Sequence, residues 1–332
     1  MPLLRRSLTV LCLSAGALLL SGCVPGWTKL AAAPSGTATT SATTSATTPT
    51  SATRTALSAP AASTAYSKVM VVVLENHSES DALAGMPYLR SQAERYGVAA
   101  NSYAVTHPSL PNYLAIAGGS TFGVRDDKPP AAHPLDGESV FGQVLAAGGT
   151  AKTYAEAMPS TCDTSASGRY AVKHNPWAYF ADAAERAACK KYDVPSGTPE
   201  SGELHDDVVA GLPTFSMLIP DLCNDAHDCS LATADGWLRS WLTTIADGQD
   251  FQTGKLLVVI TFDEDDHDAG NHILTVFLHP ALRGVTIEPR FDQYAVSGLV
   301  SRLVDAAPLR QAASATDLEA VLKDVGLAAA AG

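Results

Sequence analysis

Two runs constrain the fold more than anything else in the chain: Lys68-Val69-Met70-Val71-Val72-Val73-Leu74 and Lys255-Leu256-Leu257-Val258-Val259-Ile260-Thr261-Phe262. Each is apolar at consecutive rather than alternate positions, so as a strand it has no face to offer to water. Such strands need cover on both sides. Thr214 to Ile219 and Ile273 to Leu278 have the same β-branched character, and between these runs Glu138 to Ala147, Asp235 to Ala246, Asp292 to Val304 and Asp317 to Val325 read as helices. Several of these helical patterns open at an acidic residue suited to an N-cap. The alternation predicts an α/β domain with a central, mostly parallel sheet between helical layers. In such sheets functional groups collect beyond the carboxyl ends of the strands.

The first residues have a different character. Arg5 and Arg6 precede an apolar run from Leu8 to Leu20, too short to span a membrane comfortably, which predicts a signal peptide over residues 1–22. Leu20-Ser21-Gly22-Cys23 resembles a lipobox, which would make Cys23 the lipidated first residue of an outward-facing, membrane-anchored protein. An ordinary secretory signal, with Cys23 incidental, exports the chain as well. Residues 23–65 are expected to be a disordered tether, since Ala31 to Ala65 is almost all Ala, Ser, Thr, Pro and Gly and cannot bury a core. Residues 66–330 are long enough for one large α/β domain.

Loss of residues 1–22 removes two arginines and no acid, moving the formal net charge from −12 to −14. That field opposes non-specific binding of nucleic acid or anionic lipid, so a phosphate-bearing substrate needs local positive charge, which a metal ion can supply. No nucleic-acid or protein partner is inferred, and contact with the membrane is expected only through the N-terminal anchor. Of six cysteines, four lie beyond Cys23. In an exported chain they suggest two disulfides, and sequence order favours Cys162–Cys189 and Cys223–Cys229 over the other two connectivities.

Polar residues cluster where the strands end. Lys68–Leu74 runs into Glu75-Asn76-His77, and Lys255–Phe262 runs into Asp263-Glu264-Asp265-Asp266. Carboxylates brought together repel unless a proton or a hard cation sits between them. Each run taken alone reads equally well as a solvated turn. Thr106-His107-Pro108-Ser109-Leu110-Pro111-Asn112-Tyr113 leads into a short apolar helix ended by Gly118-Gly119. Ser109 would stand at its N-terminus, where free N–H groups favour an anion, or serve only as an N-cap. Pro220 to Cys229 packs Asp221, Asn224, Asp225, His227 and Asp228 into a loop that its two cysteines could staple, and His272 stands before the last of the four strands.

Taken in order, Val72 to Ser78, Thr106 to Tyr113, Leu212 through Asp228, and Thr261-Phe262-Asp263-Glu264 with Gly270-Asn271-His272 resemble the phosphoesterase family. This family includes acid phosphatases and bacterial phospholipases C and belongs to the alkaline-phosphatase-like superfamily. The resemblance implies a three-layer α/β/α sandwich, a divalent metal held by Glu75, Asn76, Ser109, Asp263 and Glu264, and Ser109 as nucleophile through a phosphoserine intermediate. It implies that His227 and His272 contact the phosphoryl group, assist proton transfer or bind a second metal, with Asp225 as an additional contact. Asn112 and His107 are further candidates for metal or phosphate contact, and equally read as bracing the backbone around the Pro111 turn and the loop. Mg, Ca, Mn, Zn and Fe are not distinguished. The run Asp265-Asp266-His267-Asp268-Ala269 departs from the phospholipase pattern, which favours hydrolysis of small phosphomonoesters. Phospholipase C-type diester cleavage and a non-catalytic surface binding lipoprotein stay open as alternatives.

Overall fold

The computed structural model describes residues 63–330. The signal peptide, Cys23 and all but the end of the tether lie outside the described residues.

Eight strands form the main sheet: β1 Lys68–Leu74, β2 Gly97–Ala99, β3 Ala151–Ala155, β4 Asp193–Pro195, β5 Phe215–Ile219, β6 Leu256–Phe262, β7 Thr275–Leu278 and β8 Val285–Ile287. Their order across the sheet is β8-β2-β7-β6-β1-β5-β3-β4. Only β7 runs antiparallel, between β2 and β6; the remaining pairs are parallel. The central pair, β1 and β6, is in register from Lys68 opposite Leu256 to Leu74 opposite Phe262. That register delivers Glu75 and Asp263 to the same edge side by side.

Their side chains explain the central position of these two strands. Every residue from Val69 to Leu74, and all of β6, is buried, each large apolar side chain contributing about 1.5–3 kcal/mol of transfer free energy. Helices Ser109–Gly118, Val140–Ala146, Gln293–Leu303 and Leu318–Asp324 pack among themselves, as do Glu79–Gly85, Pro87–Arg95, Glu203–Ala210 and Leu231–Asp247. These two groups are the outer layers of the sandwich.

Two of the four expected acidic caps are present: Asp292 accepts from the Tyr294 N–H and Asp317 from the Ala320 N–H. The other two helices start elsewhere. Ser139 caps Val140–Ala146, and Ser230 caps a helix that begins at Leu231, a turn before Asp235. The Asp235 carboxylate instead accepts from the backbone of Tyr88 and Leu89, each at 2.9 Å. It thereby satisfies the start of Pro87–Arg95, whose own cap position, Met86, has no side chain to do so.

Both disulfides pair as expected, Cys162 with Cys189 and Cys223 with Cys229. The grouping of Cys162, Cys189 and Asp193 is therefore no metal site, since its two sulfurs are bonded to each other.

Candidate active site

The carboxyl ends of β1 and β6 are tied together by their backbones. The Asp263 N–H donates to the Leu74 carbonyl at 2.9 Å, and the Asn76 N–H returns to Asp263 Oδ1 at 2.9 Å. Asn76 takes a left-handed conformation, φ 55°, which asparagine tolerates better than most residues. The Glu75 N–H donates to the Asp225 carbonyl at 2.9 Å, which draws in the loop after β5.

Glu75 is fully buried and is the hub of the site. Its Oε2 accepts from Ser109 Oγ at 3.1 Å, and its Oε1 accepts a short hydrogen bond from the Tyr113 hydroxyl, one turn further along the same helix. Ser109 is the first helical residue rather than the cap. Pro108 holds the cap position, leaving the serine hydroxyl to face Glu75. The next N–H of the helix, that of Leu110, donates to Asp127 Oδ1 at 3.0 Å.

Two cations meet this cluster, and both come from Val172-Lys173-His174, a single 3₁₀ turn. Lys173 Nζ lies 3.3 Å from Ser109 Oγ and 3.2 Å from both Asp127 Oδ2 and His227 Nε2. His174 is buried between Glu75 Oε2 and Asp225 Oδ2, each 3.2 Å from one ring nitrogen. Neither contact has the alignment of a hydrogen bond.

Charge in this cavity is out of balance. Burial alone would raise the Glu75 carboxyl, but the charge of His174, reinforced by Lys173, brings it down to about 2. Burial would lower His174, yet Glu75 and Asp225 hold it up at about 9. The other acids shift the opposite way. Burial and then the charge of Glu75 push Asp263 well above the carboxylate range, and the same two causes push Glu264 to about 8. Burial raises Asp225 as well. Four buried carboxylates therefore share two cations. Asp263 Oδ2 and Asp225 Oδ2 have no hydrogen-bond partner, while Glu75, His174 and Asp225 offer ligand atoms within 4.8 Å of one another. Unpartnered buried oxygens beside a histidine in an over-charged cavity suit a divalent cation.

The remaining sequence-predicted residues take separate places. Asn112 lies within the site but is mostly occupied in bracing it. Its Oδ1 accepts from Val105 and Thr106, and its Nδ2 donates to the Thr106 carbonyl at 2.7 Å and to Glu264 Oε2 at 3.2 Å. His107 sits 3.3 Å from Glu264 and 3.1 Å from Asp265, stacked on His267. His227 stands at the solvent edge, its Nδ1 2.7 Å from Asp228. His272 stacks on Tyr103, with one ring nitrogen 3.1 Å from the Ala100 carbonyl and the other 3.3 Å from Glu79. These partners lie outside the cluster around Ser109, so the contact with the phosphoryl group expected of His272 has no support in this geometry.

Sequence reasoning missed Lys173, His174 and Asp127. It searched the ends of predicted strands, whereas Lys173 and His174 ride on a turn that follows no strand. The available signal was Lys173-His174 immediately before Asn175-Pro176, a turn-forming pair.

The profile of the Phosphoesterase family matches residues 60–277. The chain belongs to this family. It is accordingly a hydrolase of phosphoric esters. It is 34% identical over 253 residues to a phosphatidylinositol-3-phosphatase of Mycobacterium tuberculosis, covering 74% of this chain and 79% of that one. It is 30% identical over 256 residues to an acid phosphatase of Aspergillus fumigatus, covering 71% of this chain and 54% of the fungal one. Among solved structures, the lipoteichoic acid synthase LtaP from Listeria monocytogenes superposes with a TM-score of 0.55 at 9% identity, covering 78% of this chain and 76% of that one. A protein of the alkaline phosphatase superfamily from Vibrio parahaemolyticus gives 0.51 at 10% identity, covering 76% and 69%. At such identities these two show the fold alone, and it is the alkaline-phosphatase-like one.

Proposed function

We propose that this chain is an exported, metal-dependent phosphomonoesterase in which Ser109 attacks phosphorus and carries the phosphoryl group as phosphoserine. The observation that supports it best is the buried Ser109 hydroxyl held between Glu75 Oε2 at 3.1 Å and Lys173 Nζ at 3.3 Å. A carboxylate held at about 2 is a poor base. Glu75 therefore orients the hydroxyl rather than deprotonating it, and the proton given up as the Oγ–P bond forms passes to solvent water. Lys173 places a positive charge beside the oxygen as it becomes anionic, the kind of pre-aimed electrostatic contact that stabilises a transition state. His227, at the open edge and 3.2 Å from Lys173, is placed to protonate the leaving oxygen and then to accept a proton from the attacking water.

Glu75, Asp225, Asp263, Glu264 and His174, with Asn76 and Ser109, would hold a divalent ion, which when bound lowers the pKa of the hydroxyl and polarises a phosphoryl oxygen. The oxygen-rich set favours a hard cation, and His174 also suits zinc or iron. Both relatives compared above are named as phosphatases, which supports monoester over diester cleavage. Export rests on the signal-like residues 1–22 and the lipobox at Cys23.

The test is hydrolysis of p-nitrophenyl phosphate, its bis-ester and phosphatidylcholine by purified protein supplied with Mg²⁺, Ca²⁺, Mn²⁺ or Zn²⁺. The monoester should be cleaved fastest, and acid-quenched protein should carry phosphate on the peptide containing Ser109. Ser109→Ala should lower kcat by roughly a thousandfold or more while the fold is kept. Faster cleavage of phosphatidylcholine would point to a phospholipase C, and no turnover with any metal to a binding protein.

A further inference from the structure

A cleft of about 560 Å³ is lined by Lys173, whose Nζ lies 3.3 Å from Ser109 Oγ. Its charged lining is Lys173 with Asp127 and His227, each 3.2 Å from the Lys173 ammonium. Beyond them its wall is Ser165, Ala166, Tyr170, Ala171, Val172 and Leu222, with no other charged side chain among the described residues that line it. The volume lies within the range of sites for small organic ligands.

Two covalently pinned loops build this wall. One lies between Cys162 and Cys189, the other is closed by Cys223–Cys229 and is entered through Leu222. The Leu222 N–H donates to the Arg169 carbonyl at 3.0 Å, joining one loop to the other. The Tyr170 hydroxyl donates to the Asp163 carbonyl at 2.8 Å, and Ser167 and Tyr170 exchange backbone hydrogen bonds. The walls are thus positioned before a ligand arrives, which lowers the ordering cost of binding.

We propose that this cleft is the leaving-group subsite and that it selects phosphomonoesters whose organic part is an uncharged ring, aryl or nucleoside in size. The proposal rests on the reading of Ser109 as the reacting group. Lys173 takes the phosphoryl end, and the apolar wall takes the ring. A leaving group bearing further phosphates finds no cation on that wall, within a chain whose formal net charge is −12.

Calorimetric titration of the metal-loaded protein with phenylphosphonate and with methylphosphonate tests the cleft without requiring turnover. Phenylphosphonate should bind at least about tenfold tighter, the scale of discrimination an apolar pocket reaches. Ala166→Trp, on an exposed part of the wall, should erase that difference and leave methylphosphonate binding unchanged. Leu222→Trp, on the opposite loop, should do the same. In turnover, both variants should raise KM for 1-naphthyl phosphate with little change for glycerol 3-phosphate. Equal affinity for the two phosphonates, or an unchanged ratio in both variants, would overturn the assignment, and tighter binding of a long-chain alkyl phosphonate would replace the ring with an acyl chain. Selective phosphonate binding without hydrolysis of any ester would retain the cleft and refute the catalytic reading instead.

Discussion

Asp193 should make the protein lose stability as the pH rises, the reverse of what a salt-bridged carboxylate does. It opens β4, is fully buried, and receives one hydrogen bond, from Asn175 Nδ2 at 2.8 Å, while its Oδ1 has no partner. Burial pushes its carboxyl up to about 7, and the Asn175 hydrogen bond and the charge of Arg186 only partly oppose this. Because the folded protein binds this proton more tightly than the unfolded chain does, the stabilisation is fully present below the unfolded pKa, near 4, and disappears as the pH passes about 7. A shift of about 3 units at about 1.4 kcal/mol each amounts to about 4 kcal/mol. Glu264, at about 8, acts in the same direction, so the wild-type slope contains more than one group. The difference between wild type and Asp193→Asn isolates this one. Urea unfolding from about pH 4 to about pH 8 should show a stability loss smaller by about 4 kcal/mol in the variant. The introduced amide also places an N–H₂ where Oδ1 meets no acceptor, at a pH-independent cost of about 1–3 kcal/mol. That moves the curve without tilting it. Identical slopes in the two proteins would refute the reasoning.

Two further outcomes bear on the metal and on the anchor. Asp263→Asn and Glu75→Gln should each weaken metal retention by about tenfold or more, read by elemental analysis of protein purified without chelator; full metal content in both variants would reduce the acidic strand ends to structural turns. Cys23→Ser should release the protein from the membrane fraction into the soluble fraction, and unchanged membrane association would remove the lipid anchor.

Much of this architecture could be read from hydrophobic pattern because the informative strands are buried on both faces. The runs Lys68–Leu74 and Lys255–Phe262 become neighbours in register, so two acidic ends far apart in sequence meet. The strands that escaped, Gly97–Ala99, Ala151–Ala155, Asp193–Pro195 and Val285–Ile287, lie toward the two sides of the sheet. They are short, and their positions are set by neighbours rather than by periodicity. Boundaries failed where capping came from another element: Asp235 looked like a helix start and serves one, but the helix is Pro87–Arg95.

Lys173 and His174 show the limit more sharply. An acidic chain that binds phosphate is expected to gather positive charge there, and Lys173 and His174 bring two cations to Ser109 and Glu75. Sequence does not point to these two residues, because it gives no measure of how deeply a lysine and a histidine on a 3₁₀ turn are drawn into a cavity. Once they are there, the acids and the cations explain one another. His174 between Glu75 and Asp225 lets those two acids lie together, and Lys173 lies against both Ser109 and Asp127. Asp263 and Glu264 are left with raised pKa values, and burial lowers the pKa of the His107 imidazole beside Glu264 rather than holding it charged. That residual imbalance lies where β1 and β6 end, and a divalent ion there would return both acids to their charged forms.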